Sequence, residues 1–533
     1  MAPSPPSSAD ADFLSDAYAR LRQTVADRDD GTLPLPAALA HAVSALPRAA
    51  PPPGHDNSAD DDDDDADTDP PLPGLAGLGR AATLDHLLSD IVPGLNSQAL
   101  SPRYYGFVTG GALPIAEAAD NIVSALDQNV QVHLPAHSAS TAVEDAALRM
   151  LVSLLGLGDP SVWPGRTITT GATASNILGL ACGREAVIAA RLVERDSDVT
   201  VADDGLLAAC QAAGVSAIQI LTSMGHSSLS KAASVVGLGH RAVREMRRSE
   251  EEPWRLDLDA VERELADGEG RGVASMVVVS AGEVNTGRFA LNALDMPKLR
   301  SLADRYGAWI HVDGAFGIFA RALPKTDEFL SLRANVAGLE LADSITVDGH
   351  KLLNVPYDTG FFLTRNASVL AQVFSNPNAA YLSPPPTSSS AAHINSPLNI
   401  GLENSRRFRA LPVYAVLLSE GRDGMALILA RMVRLARAVA AFVRDSRDYE
   451  WLPDEGASLE STHMVVLFRA KDERLNEVLV ERINETRRMY VSGTQWKGMK
   501  AVRLAVGSWR VDVERDGEVV RGLLEGVVKG WRG

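Results

Sequence analysis

The pattern of apolar and polar positions divides the chain into stretches of different character. Apolar residues recur at helical spacing over residues 12–48, and a second helical pattern runs from Thr83 through Ile91. A Pro- and Asp-rich insert separates the two patterns at residues 50–73. From about Ala146, short apolar runs alternate with helical patterns. That alternation is typical of an α/β protein, in which helices cover a largely parallel sheet.

The alternating region predicts six strands, and the C-terminal part of the chain predicts two more. The eight predicted strands are Thr167–Thr170, Ala217–Thr222, Ala274–Ser280, Trp309–Val312, Ser344–Val347, Gly360–Thr364, Met464–Phe468 and Val502–Val506. A loop rich in Pro, Ser and Asn covers residues 376–400, and a long helix begins at Asn404. We therefore expect a helical N-terminal segment over residues 1–145, a large domain over 146–400 and a small α+β domain over 401–533.

Charge is concentrated in one short segment. The 533 residues include 51 Lys+Arg and 68 Asp+Glu, which gives a formal net charge of −17. Residues 55–70 hold nine Asp and no basic residue, so more than half of that charge lies there. We interpret this segment as a solvated, disordered loop, because its charges repel one another and it has almost no apolar residues. The acidic balance excludes a general nucleic-acid binder, which needs a basic face.

Cysteine content and hydropathy narrow the class further. Two cysteines, Cys182 and Cys210, exclude a disulfide framework and cannot complete a four-cysteine zinc site. The N-terminus lacks the basic and apolar regions of a secretory signal. The most apolar long stretch, Met425–Val443, is interrupted by three arginines at helical spacing. We expect a cytoplasmic protein with no membrane partner and no metal.

Two motifs carry the strongest chemical signal. They are HVDGAFG at residues 311–317 and DSITVDGHKLL at residues 343–353, and each follows an apolar strand. In open α/β sheets, ligands bind at the carboxyl ends of the strands. Taken singly, Asp313 could cap a turn and Lys351 could begin a helix. Together they predict a pyridoxal 5′-phosphate (PLP) site, where a lysine forms a Schiff base and an aspartate keeps the pyridine nitrogen protonated.

Two further segments complete the predicted site. TTGATASN at residues 169–176 is a strand end followed by small residues and a helix start, which suits a phosphate group. In TSMGHSSLSKA, at residues 222–232, His226 lies in a polar turn after a strand. Either segment alone could be a capped helix start. Their order along the chain favours a cofactor site.

This arrangement resembles the group II PLP-dependent amino acid decarboxylases of fold type I, which include aromatic amino acid, tyrosine, histidine and glutamate decarboxylases. The resemblance covers about Ser101 to Asp423 and rests on six motifs in order. They are SPRYYGF, TTGATASN, GHSSLSKA, HVDGAFG, DGHKLL and NSRRFRALPVY. It implies a PLP-transferase-like large domain with a mostly parallel seven-stranded sheet, and a homodimer with active sites at the subunit interface.

The resemblance also implies roles for individual residues. Lys351 matches the Schiff-base lysine, Asp313 the partner of the ring nitrogen, and His226 the histidine stacked on the ring. Ala315 matches the small residue under the ring, and His350 lies near the phosphate. Ala174 and Ser175 match the phosphate-binding turn, which Thr173 and Asn176 support.

Other matched positions concern the substrate. Tyr381 aligns with a mobile-loop tyrosine that protonates the substrate carbon, and Arg406 opens a motif that shapes the site. Tyr104 and Tyr105 align with contacts to the substrate side chain. The segment AGEVNTG at residues 281–287 departs from the family, because it has Glu283 and Val284 where relatives have hydroxyl residues. That departure leaves Thr286 or Asn285 to contact the ring oxygen.

We therefore expect decarboxylation of an L-amino acid to an amine and CO₂. Tyr104 and Tyr105 favour an aromatic substrate, whereas Arg103 beside them could pair with an acidic side chain. Oxidative deamination to an aldehyde, aldol cleavage and transamination remain alternatives, because they would use the same lysine and aspartate. A catalytically silent scaffold is a more distant alternative.

Overall fold

The structure is a computed structural model that describes residues 8–28, 31–46, 77–193, 195–376, 394–453 and 456–532. The chain forms two compact units, Met1–Ser101 and Pro102–Gly533. The predicted Asp-rich loop and Tyr381 lie outside the described residues. In the first unit the helices are α1 (Ser8–Ala26), α2 (Pro36–Ser44) and α3 (Arg80–His86), the last continuing into a π-helical turn at Leu87–Ile91.

The described residues of the second unit form three sheets. The strands are β1 (Asn129–Val130), β2 (Gly165–Thr169), β3 (Ala217–Thr222), β4 (Val243–Glu245), β5 (Val273–Ser280), β6 (Trp309–Asp313), β7 (Ser344–Asp348), β8 (Gly360–Thr364), β9 (Arg406–Arg407), β10 (Tyr449–Leu452), β11 (Val465–Ala470), β12 (Ser492–Trp496) and β13 (Met499–Ala505). The largest sheet has seven strands in the order β2-β8-β7-β6-β5-β3-β4. A four-stranded sheet has the order β10-β11-β13-β12, and β1 pairs with β9.

Helices surround the sheets of the second unit. They are α4 (Pro114–Ala125), α5 (Ser140–Leu154), α6 (Ala172–Val193), α7 (Val201–Asp204), α8 (Leu206–Ala213), α9 (Ser227–Val235), α10 (Leu258–Gly270), α11 (Asp295–Tyr306), α12 (Leu330–Ala334), α13 (Gly349–Leu352), α14 (Ala367–Phe374), α15 (Ala410–Asp445), α16 (Glu473–Glu485) and α17 (Val513–Arg532). Gly421 interrupts α15 with non-helical backbone angles. None of the helices in the described ranges has the length and apolar character needed to cross a bilayer.

The predicted α/β fold with a mostly parallel seven-stranded sheet is confirmed. Strands β3 and β8 coincide with their predicted bounds, and β5 is an apolar run buried along almost its whole length. A strand covered by helices on both faces needs such a run. The prediction missed β4, because its three residues include the charged Arg244 and Glu245. The three-part domain division stays a prediction.

The sheet brings several strand ends to one edge. Strand β8 is antiparallel to both its neighbours, β2 and β7, so the other six strands all run in the same direction. The turn after β2 passes very close to β8, since a Cβ added at Gly360 would lie 2.5 Å from the Gly171 backbone. Gly171 itself has φ of +149°, which favours glycine. The carboxyl ends of six parallel strands therefore face one region.

Candidate active site

A cavity of about 600 Å³ lies at this edge. Eight of the candidate cofactor-binding residues predicted from the sequence line it: Thr173, Ala174, His226, Asn285, Asp313, Ala315, His350 and Lys351. The wall is completed by segments that include Phe107, Tyr357, Thr494 and Arg503. Groups far apart in the chain thus meet around one space, whose size is typical of a small-molecule site.

Lys351 reaches the cavity from α13, directly after β7. Its Nζ lies 2.9 Å from Asp348 Oδ2 and 5.7 Å from the centre of the Phe316 ring. Asp348 is buried, and its Oδ1 accepts a hydrogen bond of 2.6 Å from the Ala172 amide. Asp348 was not among the site residues predicted from the sequence. Its position three residues before Lys351 could have indicated it, because that spacing on a helical turn puts the carboxylate beside the lysine.

Asp313 ends β6 and presents its carboxylate to the cavity. Its Oδ1 accepts from the Ala315 amide at 3.2 Å, and its Oδ2 accepts from Asn176 Nδ2 at 3.0 Å. Both donors are neutral, and no cation in the described part of the chain forms a salt bridge with this carboxylate. The charge is therefore held in a fixed orientation without being neutralised.

Two histidines flank the cavity. Burial lowers the pKa of both His226 and His350. His226 caps the start of α9, where its Nδ1 accepts from the Ser228 amide at 3.2 Å. A neutral His226 therefore carries its proton on Nε2. His350 accepts from the Thr359 amide at 3.2 Å and stacks on Tyr357 with ring centres 4.4 Å apart.

Two of the four residues of the predicted phosphate turn line the cavity, and the other two are buried. Thr173 and Ala174 line the cavity at the start of α6, where free backbone amides and the helix dipole favour an anion. Ser175 is buried, and its hydroxyl lies 2.7 Å from Thr169 Oγ1. Asn176 is also buried and directs its amide to Asp313. These last two side chains are turned away from the cavity.

The segment that departs from the family is organised by Glu283. This buried carboxylate accepts hydrogen bonds from the backbone and side chains of both Asn285 and Thr286. The Thr286 hydroxyl donates to Glu283 Oε2 at 2.8 Å, and Thr286 does not line the cavity. Asn285 does, and its Oδ1 accepts from Thr494 Oγ1 at 2.7 Å. Of the two residues considered for the ring-oxygen contact, only Asn285 is in place.

Arg503 is a site residue that the sequence did not predict. It enters from β13 of the small sheet, is 6% exposed, and lines the cavity. Its Nε donates to the Val284 carbonyl and its Nη1 to the Gly106 carbonyl at 2.9 Å. Burial lowers the pKa of Arg503 to about 10, so it remains a cation at neutral pH. The sequence feature that could have indicated Arg503 is its position as a single arginine within the apolar run AVRLAV.

Four other residues considered for substrate contacts lie outside the cavity lining. Tyr104 stacks on Tyr490 with ring centres 4.7 Å apart, and Tyr105 is fully buried. Arg103 pairs with the buried Asp516 at 3.1 Å. The Arg406 guanidinium pairs with Glu144 in the interior. The structure brings none of these four to Lys351.

The residues around the cavity fit PLP. An amine, a carboxylate and a row of small residues at a helix start converge there, which are the groups that this cofactor requires of a protein. Fold and cavity together define a fold type I PLP-dependent enzyme. The model of the pyridoxal-dependent decarboxylase conserved domain matches residues 81–471, and the chain belongs to this family. It is accordingly a PLP-dependent carboxy-lyase.

Known proteins with different substrates are similar to this chain. Aromatic-L-amino-acid decarboxylase of Bacillus atrophaeus is 24% identical over 410 residues, which is 76% of each chain. Aspartate 1-decarboxylase of Aliivibrio fischeri is 26% identical over 433 residues, covering 77% of this chain and 73% of its own. The crystal structure of Oryza sativa TDC with PLP and tryptamine has a TM-score of 0.77 at 22% identity, covering 99% and 100% of the two chains.

Proposed function

We propose that the protein decarboxylates an L-amino acid to the corresponding amine and CO₂, with an aromatic amino acid favoured. The observation that carries the proposal is the convergence of Lys351, Asp313 and His226 on one cavity. Homodimer formation and a cytoplasmic location are further parts of the proposal, supported by the family resemblance and by the sequence.

Each cofactor-facing group has a distinct task in this proposal. Lys351 Nζ holds the cofactor covalently, and the Asp313 carboxylate holds a proton on the ring nitrogen. The amides around Thr173 and Ala174 bind the phosphate, and the His226 ring packs against the cofactor ring. When bound, PLP accepts the electrons released from the substrate α carbon. The protein contributes orientation and a fixed electrostatic environment.

The substrate carboxylate needs a donor that is already in place. Arg503 supplies one, because two of its nitrogens are held by backbone carbonyls and no partner in the described ranges binds Nη2. His226 can add a second donor through Nε2. We assign Tyr381 the delivery of a proton to the α carbon after CO₂ leaves, as the family resemblance implies.

The rings at the cavity support an aromatic substrate. Phe107 and Tyr357 both line it, and both are 57% exposed, so they offer apolar surface to a ligand. Arg503 supports a second candidate, an acidic amino acid, because its guanidinium could bind a side-chain carboxylate. The aspartate decarboxylase among the similar proteins agrees with that alternative.

A panel of L-amino acids tests the proposal. Purified protein loaded with PLP is incubated with each amino acid, CO₂ release is measured, and products are identified by mass spectrometry. We expect amine and CO₂, with aromatic substrates preferred. Aldehyde with ammonia, or a keto acid, would contradict simple decarboxylation. Release of CO₂ from aspartate or glutamate alone would replace the aromatic assignment with the acidic one.

The Lys351→Ala variant serves as the matched test of the site. We expect it to lose both turnover and the visible absorbance of protein-bound cofactor, because no other described lysine lines the cavity. Lys529→Ala, which changes an exposed lysine of α17, is the control and should behave as wild type. Retention of both properties in Lys351→Ala would refute the assignment.

A further inference from the structure

Behind the cavity, hydrogen bonds connect a series of side chains that ends at Asp313. Trp309 Nε1 donates to Ser344 Oγ at 2.9 Å, and Ser344 Oγ lies 2.8 Å from His311 Nδ1. His311 Nε2 lies 3.0 Å from Asn176 Oδ1. Asn176 Nδ2 then donates to Asp313 Oδ2 at 3.0 Å. Except for Asp313, which faces the cavity, all of these side chains are buried.

The direction of each hydrogen bond follows from its neighbours. Asp313 accepts only, so Asn176 must turn its Nδ2 towards the carboxylate and its Oδ1 towards His311. The Oδ1 atom accepts only, so His311 must carry a proton on Nε2. Burial lowers the pKa of His311 to about 4, so its Nδ1 is unprotonated at neutral pH and accepts from the Ser344 hydroxyl.

A second branch leaves the same amide. Asn176 Nδ2 donates to Ser228 Oγ at 3.3 Å, and Ser228 Oγ lies 2.7 Å from His226 Nδ1. Because the Ser228 amide also donates to Nδ1, the serine hydroxyl contributes a second donor to that nitrogen. His226 therefore keeps its proton on Nε2. The two groups proposed to face the cofactor ring, Asp313 and His226, are connected through one asparagine.

Packing leaves this asparagine no alternative arrangement. Asn176 is 0% exposed, and both atoms of its amide group are hydrogen-bonded. Helix α6 packs directly against the His311 imidazole, since a Cβ added at Gly179 would be 2.4 Å from His311. A flipped amide would place Oδ1 against the Asp313 carboxylate and turn Nδ2 towards the His311 proton, which would keep only the longer contact of 3.3 Å to Thr346 Oγ1. Each group left unsatisfied costs about 1–3 kcal/mol.

We propose that Asn176, held in place by His311, is a positioning residue that fixes the orientation of both the Asp313 carboxylate and the His226 imidazole. The inference rests on the proposed function, in which those two groups contact the cofactor. It replaces the expectation that Asn176 supports the phosphate turn. The asparagine acts through Asp313 and His226, and it lies outside the cavity lining.

The first test needs no cofactor. Nitrogen NMR of the cofactor-free protein, with ¹⁵N-labelled histidine, reports which ring nitrogen carries the proton. Signals are assigned by their loss in single histidine variants. We expect the Nε2-protonated form for both His311 and His226. Asn176→Leu should weaken this preference in His311, which loses its Oδ1 acceptor, but not in His226, whose Nδ1 still accepts from the Ser228 amide. A wild-type His311 protonated on Nδ1 would overturn the inference.

The second test measures cofactor binding. We expect Asn176→Leu to raise the Kd for PLP about tenfold or more, the loss expected when a charged group loses a hydrogen bond. Its kcat should fall more than its KM rises, because Asp313 acts on the bound intermediate states rather than on substrate capture. Thr167→Val, which alters a buried hydroxyl of β2 that has no hydrogen-bond partner among the described residues, should bind PLP as wild type does.

A pair of histidine variants keeps the test decisive if Asn176→Leu fails to fold. His311→Gln retains a donor for Asn176 Oδ1, whereas His311→Leu does not, so the glutamine variant should bind PLP more tightly than the leucine variant. Equal affinities in this pair, or wild-type affinity in Asn176→Leu, would overturn the inference. A protein with the expected tautomers and affinities that released no CO₂ from any amino acid would overturn the proposed function and leave this inference standing.

Discussion

Arg406 and Glu144 form an ion pair that is buried on both sides. Arg406 Nη1 donates to Glu144 Oε2 at 2.8 Å and Nη2 donates to Oε1, while the two side chains are 2% and 6% exposed. The pair ties the start of the α15 segment, through β9, to α5. Because the Arg406 guanidinium is buried against Glu144 and does not line the cavity, we interpret the RRFRAL motif as structural at Arg406.

Removing one partner of this pair should destabilise the fold. We expect Arg406→Met or Glu144→Gln to lower the free energy of unfolding by about 3–5 kcal/mol, because a buried charge is left without its partner. The double variant Arg406→Met/Glu144→Leu should recover part of the loss. Urea unfolding followed by circular dichroism measures these differences.

An exposed pair provides the control. Lys298 and Asp259 lie 2.7 Å apart but remain largely solvated, so Lys298→Ala should leave the unfolding midpoint nearly unchanged. Equal effects of Lys298→Ala and Arg406→Met would contradict the structural interpretation. So would a stable Arg406→Met protein whose only defect was a raised KM.

The sequence could predict those site residues whose position follows from strand order. Asp313 and Lys351 follow neighbouring parallel strands, so their meeting at one sheet edge is dictated by topology. Arg503 belongs to a different sheet, and nothing in its local pattern shows that this sheet forms a wall of the cavity. Tyr105 fails as a substrate contact for a similar reason: its amide and carbonyl bond to Tyr490 and Ala505, which turns its ring into the core.

Arg503 should govern substrate binding. We expect Arg503→Met to lower kcat/KM by about 10–100-fold, since a hydrogen bond to a charged group contributes about 1.5–3 kcal/mol. Arg503→Lys should restore little, because a lysine cannot use both backbone carbonyls and still present a donor. Steady-state kinetics of the PLP-loaded protein measures the effect. Arg510→Met is the control, since Arg510 is exposed and lies over Trp509 outside the cavity. Wild-type kinetics in Arg503→Met would exclude the proposed role.

Asp348 should weaken anion binding at the start of α6. Its Oδ1 accepts a hydrogen bond from the Ala172 amide, and its charge lies beside the amides of the predicted phosphate turn. We expect Asp348→Asn to bind inorganic phosphate several-fold more tightly in the cofactor-free protein, because a fixed negative charge is removed. Titration calorimetry with phosphate measures the change. Asp327→Asn, an exposed substitution, should have no effect. Unchanged or weaker phosphate binding in Asp348→Asn would contradict this account of the turn.

His463 should make the stability depend on pH. It is 1% exposed, both ring nitrogens lack a hydrogen-bond partner among the described residues, and it packs against Phe289 and Phe316. Burial, reinforced by the charge of Arg437, lowers the pKa of His463 to about 3. The unfolded chain has a histidine pKa near 6.5. Between these two values the unfolded state binds one more proton, so the free energy of unfolding falls as the pH falls.

The size of this effect follows from the pKa difference. From pH 6.5 to pH 5, His463 should contribute a loss of roughly 2 kcal/mol, at about 1.36 kcal/mol per pH unit. We expect His463→Leu to remove that contribution, so that urea midpoints measured across this range fall less steeply than in wild type. His240→Leu is the control, because His240 is exposed and should leave the slope unchanged. If His463→Leu kept the wild-type slope, His463 would have to be protonated in the folded protein. That result would contradict this structure, because the imidazolium would be buried beside two phenylalanine rings with no hydrogen-bond partner among the described residues.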